Sequence, residues 1–147
     1  MTARRDATTT SSPLVLVVED DPETRQFYSE ALRREGFAVE QAHNGHQALH
    51  KALEMDPDLI LTDIAVPGID GIELCRRLRA DSRTHHIPVL AISGYVDRQY
   101  ADRARMAGAD QMLAKPCDAG LIVDEARRLL FSRVGRALAP ADKGGEP

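Results

Sequence analysis

Leu59-Ile60-Leu61-Thr62-Asp63-Ile64-Ala65-Val66-Pro67-Gly68-Ile69-Asp70-Gly71 is an apolar run that closes on a single carboxylate and then on a Pro-Gly turn. A strand wetted on one face alternates apolar and polar side chains. A run without that alternation reads as a strand buried on both faces, the condition of a parallel sheet covered by helices. Such a strand delivers Asp63 to the carboxyl edge of the sheet. Two further runs also end in charge: Leu14 to Val18 leads into Glu19-Asp20-Asp21, and Asp110 to Ala114 leads into Lys115-Pro116. Open α/β sheets bind ligands in the crevice outside their carboxyl ends. Three such strands in one sheet would bring a carboxylate pair, a lone carboxylate and a lysine into one pocket.

The intervening segments have the spacing of helices. Asp21-Pro22 is an N-cap followed by proline at the first helical position. The helix it opens runs to about Glu35, with Phe27, Tyr28, Ala31 and Leu32 as the inward stripe and Gly36 as its stop. Phe37 to Ala42 is a short second strand. Asn44-Gly45 opens a second helix with Ala48, Leu49, Ala52 and Leu53 at helical spacing, closed near Pro57. Gly71 to Ala80 buries Ile72, Leu74, Cys75 and Leu78 and turns Arg76, Arg77 and Arg79 to water. Ile87 to Ile92 is a fourth strand, with Pro88 near its start. Asp97 to Ala107 is a lean helix with Ala101, Ala104 and Ala107 inward, and Asp118 caps a last one with Ile122, Ala126, Leu129 and Leu130 inward. Strands alternating with helices predict a doubly wound α/β fold with a five-stranded parallel sheet and five helices. The polar residues 1–13 are an expected mobile lead-in, 14–132 the domain, and 133–147 a flexible tail.

At 147 residues, 43% hydrophobic and 29% charged, the chain fits one domain burying about two thirds of its unfolded surface. A net charge of −4, with arginines interleaved among acids, argues against nucleic-acid binding. No apolar stretch approaches the roughly 18 residues that span a bilayer, and the N-terminus lacks a signal core, so no membrane role and a cytoplasmic location are expected. Cys75 and Cys117 stand apart with no metal-ligand spacing. His46 and His50 at i, i+4, with His43 nearby, have a spacing that can bind metal, but an exposed helix face explains them as well.

The chain resembles the receiver domain of two-component response regulators. The resemblance rests on Val17-Val18-Glu19-Asp20-Asp21-Pro22, Thr62 through Gly71, Ile92-Ser93-Gly94, Gly108-Ala109-Asp110 and Ala114-Lys115-Pro116, in the family's order from about Leu14 to about Leu130. It implies a flavodoxin-like sheet in the order 2-1-3-4-5. It implies that Asp63 accepts a phosphoryl group from a histidine kinase or a histidine phosphotransfer protein, with Lys115 and Ser93 on the phosphoryl oxygens. It further implies a Mg²⁺ site made by Asp20 directly, Glu19 partly through water, Asp63 and the backbone carbonyl of Ala65, and a cis bond between Lys115 and Pro116 with the lysine aimed inward. Asp21 is left as the helix cap.

The charges agree with that assignment. Glu19, Asp20 and Asp63 against Lys115 leave a formal −2, and like charges ~4 Å apart cost about 4 kcal/mol per pair at an effective dielectric of about 20. A divalent cation removes that strain. Few carboxylates with waters and a phosphoryl oxygen suit Mg²⁺ better than Ca²⁺. A carboxylate serves as nucleophile because phosphoryl transfer demands mostly positioning and charge neutralisation.

Some positions depart from the family's habit. Ala65 stands where many relatives carry a longer side chain, Met112 where many have an aromatic switch residue that responds to Ser93, and Cys117 where phenylalanine is frequent. The expected function is a phosphoacceptor signalling domain rather than an enzyme, which assists its own phosphorylation and dephosphorylation and binds a downstream effector protein when phosphorylated. Phosphorylation-dependent pairing of two copies is left open. With about 17 residues after Leu130, the chain is expected to work without an attached effector fold. Two rivals stand beside this reading. A haloacid-dehalogenase-like phosphatase would need Asp-x-Asp after its first strand, where this chain has Glu19-Asp20-Asp21. A receiver-like scaffold would lack an acid, acceptor or lysine, and none is lacking.

Overall fold

The computed structural model describes residues 12–94 and 98–138. Strands and helices alternate without interruption: β1 (Leu14–Val18), α1 (Pro22–Arg34), β2 (Ala38–Ala42), α2 (Gly45–Met55), β3 (Leu59–Asp63), α3 (Gly71–Ala80), β4 (Val89–Ser93), α4 (Arg98–Ala107), β5 (Gln111–Ala114) and α5 (Ala119–Leu138). The strands form one sheet in the order β2-β1-β3-β4-β5, every neighbouring pair parallel.

The lack of alternation in the strands follows from two cores. Val15, Val17, Leu59, Leu61, Leu90 and Ile92 pack under Tyr28 and Leu32 of α1 and Ile122, Val123 and Ala126 of α5. Leu16, Val18, Ile60, Val89 and Ala91 point the other way, onto Ala48 of α2, Ile72, Leu74, Cys75 and Leu78 of α3, and Ala104 of α4. Both parities of β1, β3 and β4 are therefore apolar, as the helix-covered centre of a parallel sheet requires, while the edge strands β2 and β5 carry Glu40, Gln41 and Gln111.

Short polar side chains start the helices. Asp21, Asn44, Asp70 and Asp118 each accept the backbone N–H three residues on, at 2.9, 2.7, 2.9 and 2.8 Å, satisfying an otherwise orphaned donor. Gly71 permits a close approach: a Cβ there would lie 2.7 Å from Cα of Ile64 and 2.9 Å from the Asp63 carbonyl oxygen. The first turn of α3 thus presses on the strand end that carries Asp63.

Several side chains depart from the sequence expectation. Phe27 is 47% exposed; it lies one position off the buried stripe, and beside it Tyr28, Pro116 and Cys117 line an open apolar cleft. The inward stripe of α4 is not Ala101, Ala104 and Ala107 but Tyr100, Ala104 and Ala107, at i, i+4, i+7; Tyr100 packs on the core while Ala101 is half-buried. Arg79 does not face water but reaches under the sheet to the carbonyls of Gly108 and Ile87. Leu130 is half-buried rather than buried. α5 continues past residue 132 to Leu138, since no proline interrupts it before Pro140. β4 begins at Val89, just after Pro88. The expected lead-in through residue 11, Asp97, and the end of the expected tail from residue 139 lie outside the described residues.

Candidate functional site

Sheet register assembles the site. Val18 pairs with Thr62, Asp63 with Ile92, and Ser93 with Ala114, so the residues that follow these positions leave the sheet at one edge. Three backbone bonds continue the ladder by one step: Glu19 N–H to Ala42 (3.0 Å), Ile64 N–H to Ile92 (3.0 Å) and Lys115 N–H to Ser93 (2.9 Å). Glu19, Asp63, Ser93 and Lys115 are thereby delivered together by four strand ends. Lys115-Pro116 is a cis peptide bond.

Asp63 is buried, with 6% of its surface exposed. Its Oδ1 accepts the Ala65 N–H at 2.9 Å, and its Oδ2 is ion-paired with the Lys115 ammonium. The same ammonium lies 3.5 Å from Oε1 of Glu19, whose Oε2 accepts the Asp21 N–H at 3.0 Å. Ser93 is buried beside them at 2% exposure. One cation therefore faces two buried carboxylates. Burial, together with the neighbouring Asp63, raises the Glu19 carboxyl from its ordinary 4.5 to about 7. Burial disfavours the Lys115 charge, yet the hydrogen bond and negative charge of Asp63 outweigh it and hold the ammonium above its usual value.

The three acids after Val18 separate. Glu19 is 2% exposed and turned into the site, Asp20 is exposed, and Asp21 caps α1 with both the N–H and the hydroxyl of Thr24 on its carboxylate, which hold that carboxyl below its usual range. Met112 is half-buried against the core on the α4 side. It pairs with Ala91, two residues before Ser93 on β4, so Met112 and Ser93 share one face of the sheet.

The other candidates do not assemble. Among the described residues no three His, Cys, Asp or Glu side chains form a cluster able to hold a metal by themselves. His50 sits 3.7 Å from Glu54, and His86 lies 3.3 Å from Asp56. Burial pushes the Cys75 thiol up to about 12 and raises Cys117 as well, which disfavours the thiolate at both. The donor set at the strand ends suits a hard cation that keeps most of its waters: two facing carboxylates, an exposed acid at the rim and backbone carbonyls.

Two features beside the site are not written in the sequence pattern. The exposed Phe27 with Pro116 and Cys117 walls one side of the site; an aromatic beside, rather than on, the helical stripe was the available signal. Arg25 bonds the backbone behind the acid pair, and no spacing rule announces it.

Residues 15–127 match the family model described as the response regulator receiver domain. The chain is 36% identical over 118 residues to the DNA-binding dual master transcriptional regulator RpaA of Synechocystis sp., covering 80% of this chain and 49% of that protein. It is 38% identical over 132 residues to the transcriptional regulatory protein CseB of Streptomyces avermitilis, covering 90% and 54%. The chain thus spans about half the length of these two relatives. Its fold is similar to that of the chemotaxis response regulator CheY4 of Vibrio cholerae, with a TM-score of 0.77, 28% identity and coverage of 81% of this chain and 99% of that one. Among the described residues no helix is long and apolar enough to cross a membrane.

Proposed function

The chain belongs to the response regulator receiver family of two-component signalling, and from that premise we propose that Asp63 is its phosphoacceptor. Lys115 and Ser93 bind the oxygens of the transferred group, and Glu19, Asp20, Asp63 and the Ala65 carbonyl hold Mg²⁺. The observation that carries this reading is the buried Asp63 with one oxygen on the Ala65 N–H and the other on the Lys115 ammonium, with Glu19 beside it. That arrangement holds a carboxylate aimed and largely shielded from water at the mouth of a crevice.

In the transfer, an Asp63 oxygen bonds to phosphorus as the bond from phosphorus to the donor's imidazole nitrogen breaks. The electron pair stays on that nitrogen, which then takes up a proton. Lys115 moves within the pocket from the Asp63 carboxylate to an oxygen of the new phosphoryl group, and the Ser93 hydroxyl donates to another. When bound, Mg²⁺ neutralises charge on the transferring oxygens. The partners of this role are a histidine kinase or a histidine phosphotransfer protein as donor and a downstream effector protein, in the cytoplasm, with pairing of phosphorylated copies as one form of output.

Incubation with acetyl phosphate and Mg²⁺, read by intact mass, tests the reading. One phosphoryl group is expected on the wild type and none on Asp63→Asn. Undiminished label on Asp63→Asn overturns the assignment.

A further inference from the structure

At the end of β1 the ladder stops, yet Glu19 remains buried at 2% exposure. Its N–H is satisfied by the Ala42 carbonyl at 3.0 Å, but its own carbonyl has left the sheet as the chain turns into α1. A buried carbonyl without a partner costs about as much as a lost hydrogen bond. The guanidinium of Arg25, one turn into α1, supplies that partner: Nη1 donates to the Glu19 oxygen at 2.8 Å and reaches the Asp20 oxygen at 3.5 Å.

Arg25 is itself held. Its Nε donates to Oε1 of Gln41 on β2 at 3.4 Å. The amide of Gln41 donates to the Ser29 hydroxyl at 2.8 Å, and that hydroxyl donates to the Arg25 carbonyl at 2.7 Å. The ring of bonds runs from Arg25 through Gln41 and Ser29 back to Arg25, and ties α1 to β2 behind the acid pair. It fixes the peptide planes from which the Glu19 and Asp20 side chains leave.

We propose that Arg25 is a positioning residue for the cation site, setting the backbone of Glu19 and Asp20 so that their carboxylates are presented together. This rests on the reading of those acids as Mg²⁺ ligands. Position and charge make opposite forecasts. A guanidinium close behind the acids repels an incoming cation, so if Arg25 acted through its charge its removal would tighten Mg²⁺ binding. If it acts by holding the backbone, removal weakens binding even though a positive charge is gone. Lysine keeps the charge but not the planar fork that serves the Glu19 carbonyl and Gln41 at once.

The test is Mg²⁺ affinity of the unphosphorylated protein by isothermal titration calorimetry, in wild type, Arg25→Lys, Arg25→Gln and Gln41→Leu, with the melting temperature of each recorded. Loss of a residue that orients metal ligands weakens binding by about tenfold, and that is expected in both Arg25 variants. Gln41→Leu keeps the guanidinium and loosens its anchor, so a smaller weakening is expected there. It also serves as the informative arm should the Arg25 variants fold poorly. Arg25→Lys binding like wild type, or Arg25→Gln binding more tightly, overturns the inference while leaving the site intact. Wild type failing to bind Mg²⁺ overturns both the site reading and the inference.

Discussion

The sheet carries an acid–base joint at each edge, and the two are built differently. At the amino edge Arg79 meets Asp110 at 2.9 Å, and its remaining donors go to the carbonyls of Gly108 (3.1 and 2.8 Å), Ile87 (2.7 Å) and His85 (3.1 Å). Oδ2 of Asp110 also accepts the Val89 N–H at 2.8 Å. One cation faces one carboxylate, and the other partners are neutral. At the carboxyl edge one ammonium faces two buried acids, Asp63 and Glu19. The first joint is balanced and multiply bonded by a rigid fork; the second carries surplus negative charge under a single flexible cation. Balance makes a structural tie, and imbalance makes a place for further positive charge.

Reciprocal substitutions break that comparison most directly. Asp63→Asn is expected to abolish phosphorylation while leaving the fold at least as stable, because it removes one of two like charges in a buried pocket. Arg79→Ala is expected to do the reverse. Leaving several part-buried carbonyls and Asp110 without their guanidinium donor costs on the order of 1 kcal/mol, while phosphorylation by acetyl phosphate stays close to wild type. Thermal melts and mass measurement on both variants decide it. A destabilised Asp63→Asn with an unaffected Arg79→Ala would mean that the roles of the two joints have been assigned backwards.

A smaller effect distinguishes the joints by pH. With Glu19 raised from 4.5 to about 7, the folded site keeps a proton that the unfolded chain has released throughout that window. The native state then binds more protons than the unfolded one, so in the absence of cation this group lowers stability as pH rises from about 4.5 to about 7 and has no further effect above. Melting curves across that range should show the decline in wild type and its loss in Glu19→Gln. Because Mg²⁺ competes with the same proton, its affinity should rise over the same window. A wild-type slope that persists in Glu19→Gln would place its source elsewhere.

The legible parts of this molecule were those written in local sequence. Apolar runs announced four of the strands, the short Phe37–Ala42 segment between Gly36 and Asn44 announced the other, and the charged residue closing each of three runs announced Glu19, Asp63 and Lys115; the order of the strands came only through resemblance. Arg79 was illegible because an arginine in a helical pattern reads as solvated, and its partners are carbonyls as far as 29 residues along the chain, which no side-chain pattern reports. Phe27 was misplaced because one helical position is 100° of rotation, and the missing cover is a property of the loop after β5. Tyr100 is legible in the sequence, since its i, i+4, i+7 spacing with Ala104 and Ala107 is that of a buried helical face. The division between Glu19 and Asp20 turned on the exit of the chain from β1, a matter of register rather than composition.

The smallest expected effect concerns how the loose edge communicates with the tied one. Arg79 holds the carbonyl of Gly108 at the carboxyl end of α4, whereas the fourth strand reaches the site at its other end through Ser93, on the same sheet face as Met112 and Tyr100. A phosphoryl oxygen that draws the Ser93 hydroxyl inward vacates space on that face, and a neighbouring side chain filling it biases an existing two-state equilibrium. Met112, unbranched and flexible, fills such space with little rotamer penalty but offers less contrast between the two states than an aromatic. The response should therefore be shallow, with some active-like population before phosphorylation. It should also be graded along α4, strongest near Tyr100 and fading toward the tied end at Gly108. Backbone amide shifts with and without beryllofluoride, a phosphoryl mimic, measure it: Ser93→Ala should lose most of the response, Met112→Ala should reduce it modestly, and Arg79→Ala should let it spread into Gly108 and Ala109. A full wild-type response in Ser93→Ala would show that the signal leaves the site by another path, and a uniform response along α4 in wild type would show that the amino-edge joint does not restrain the helix.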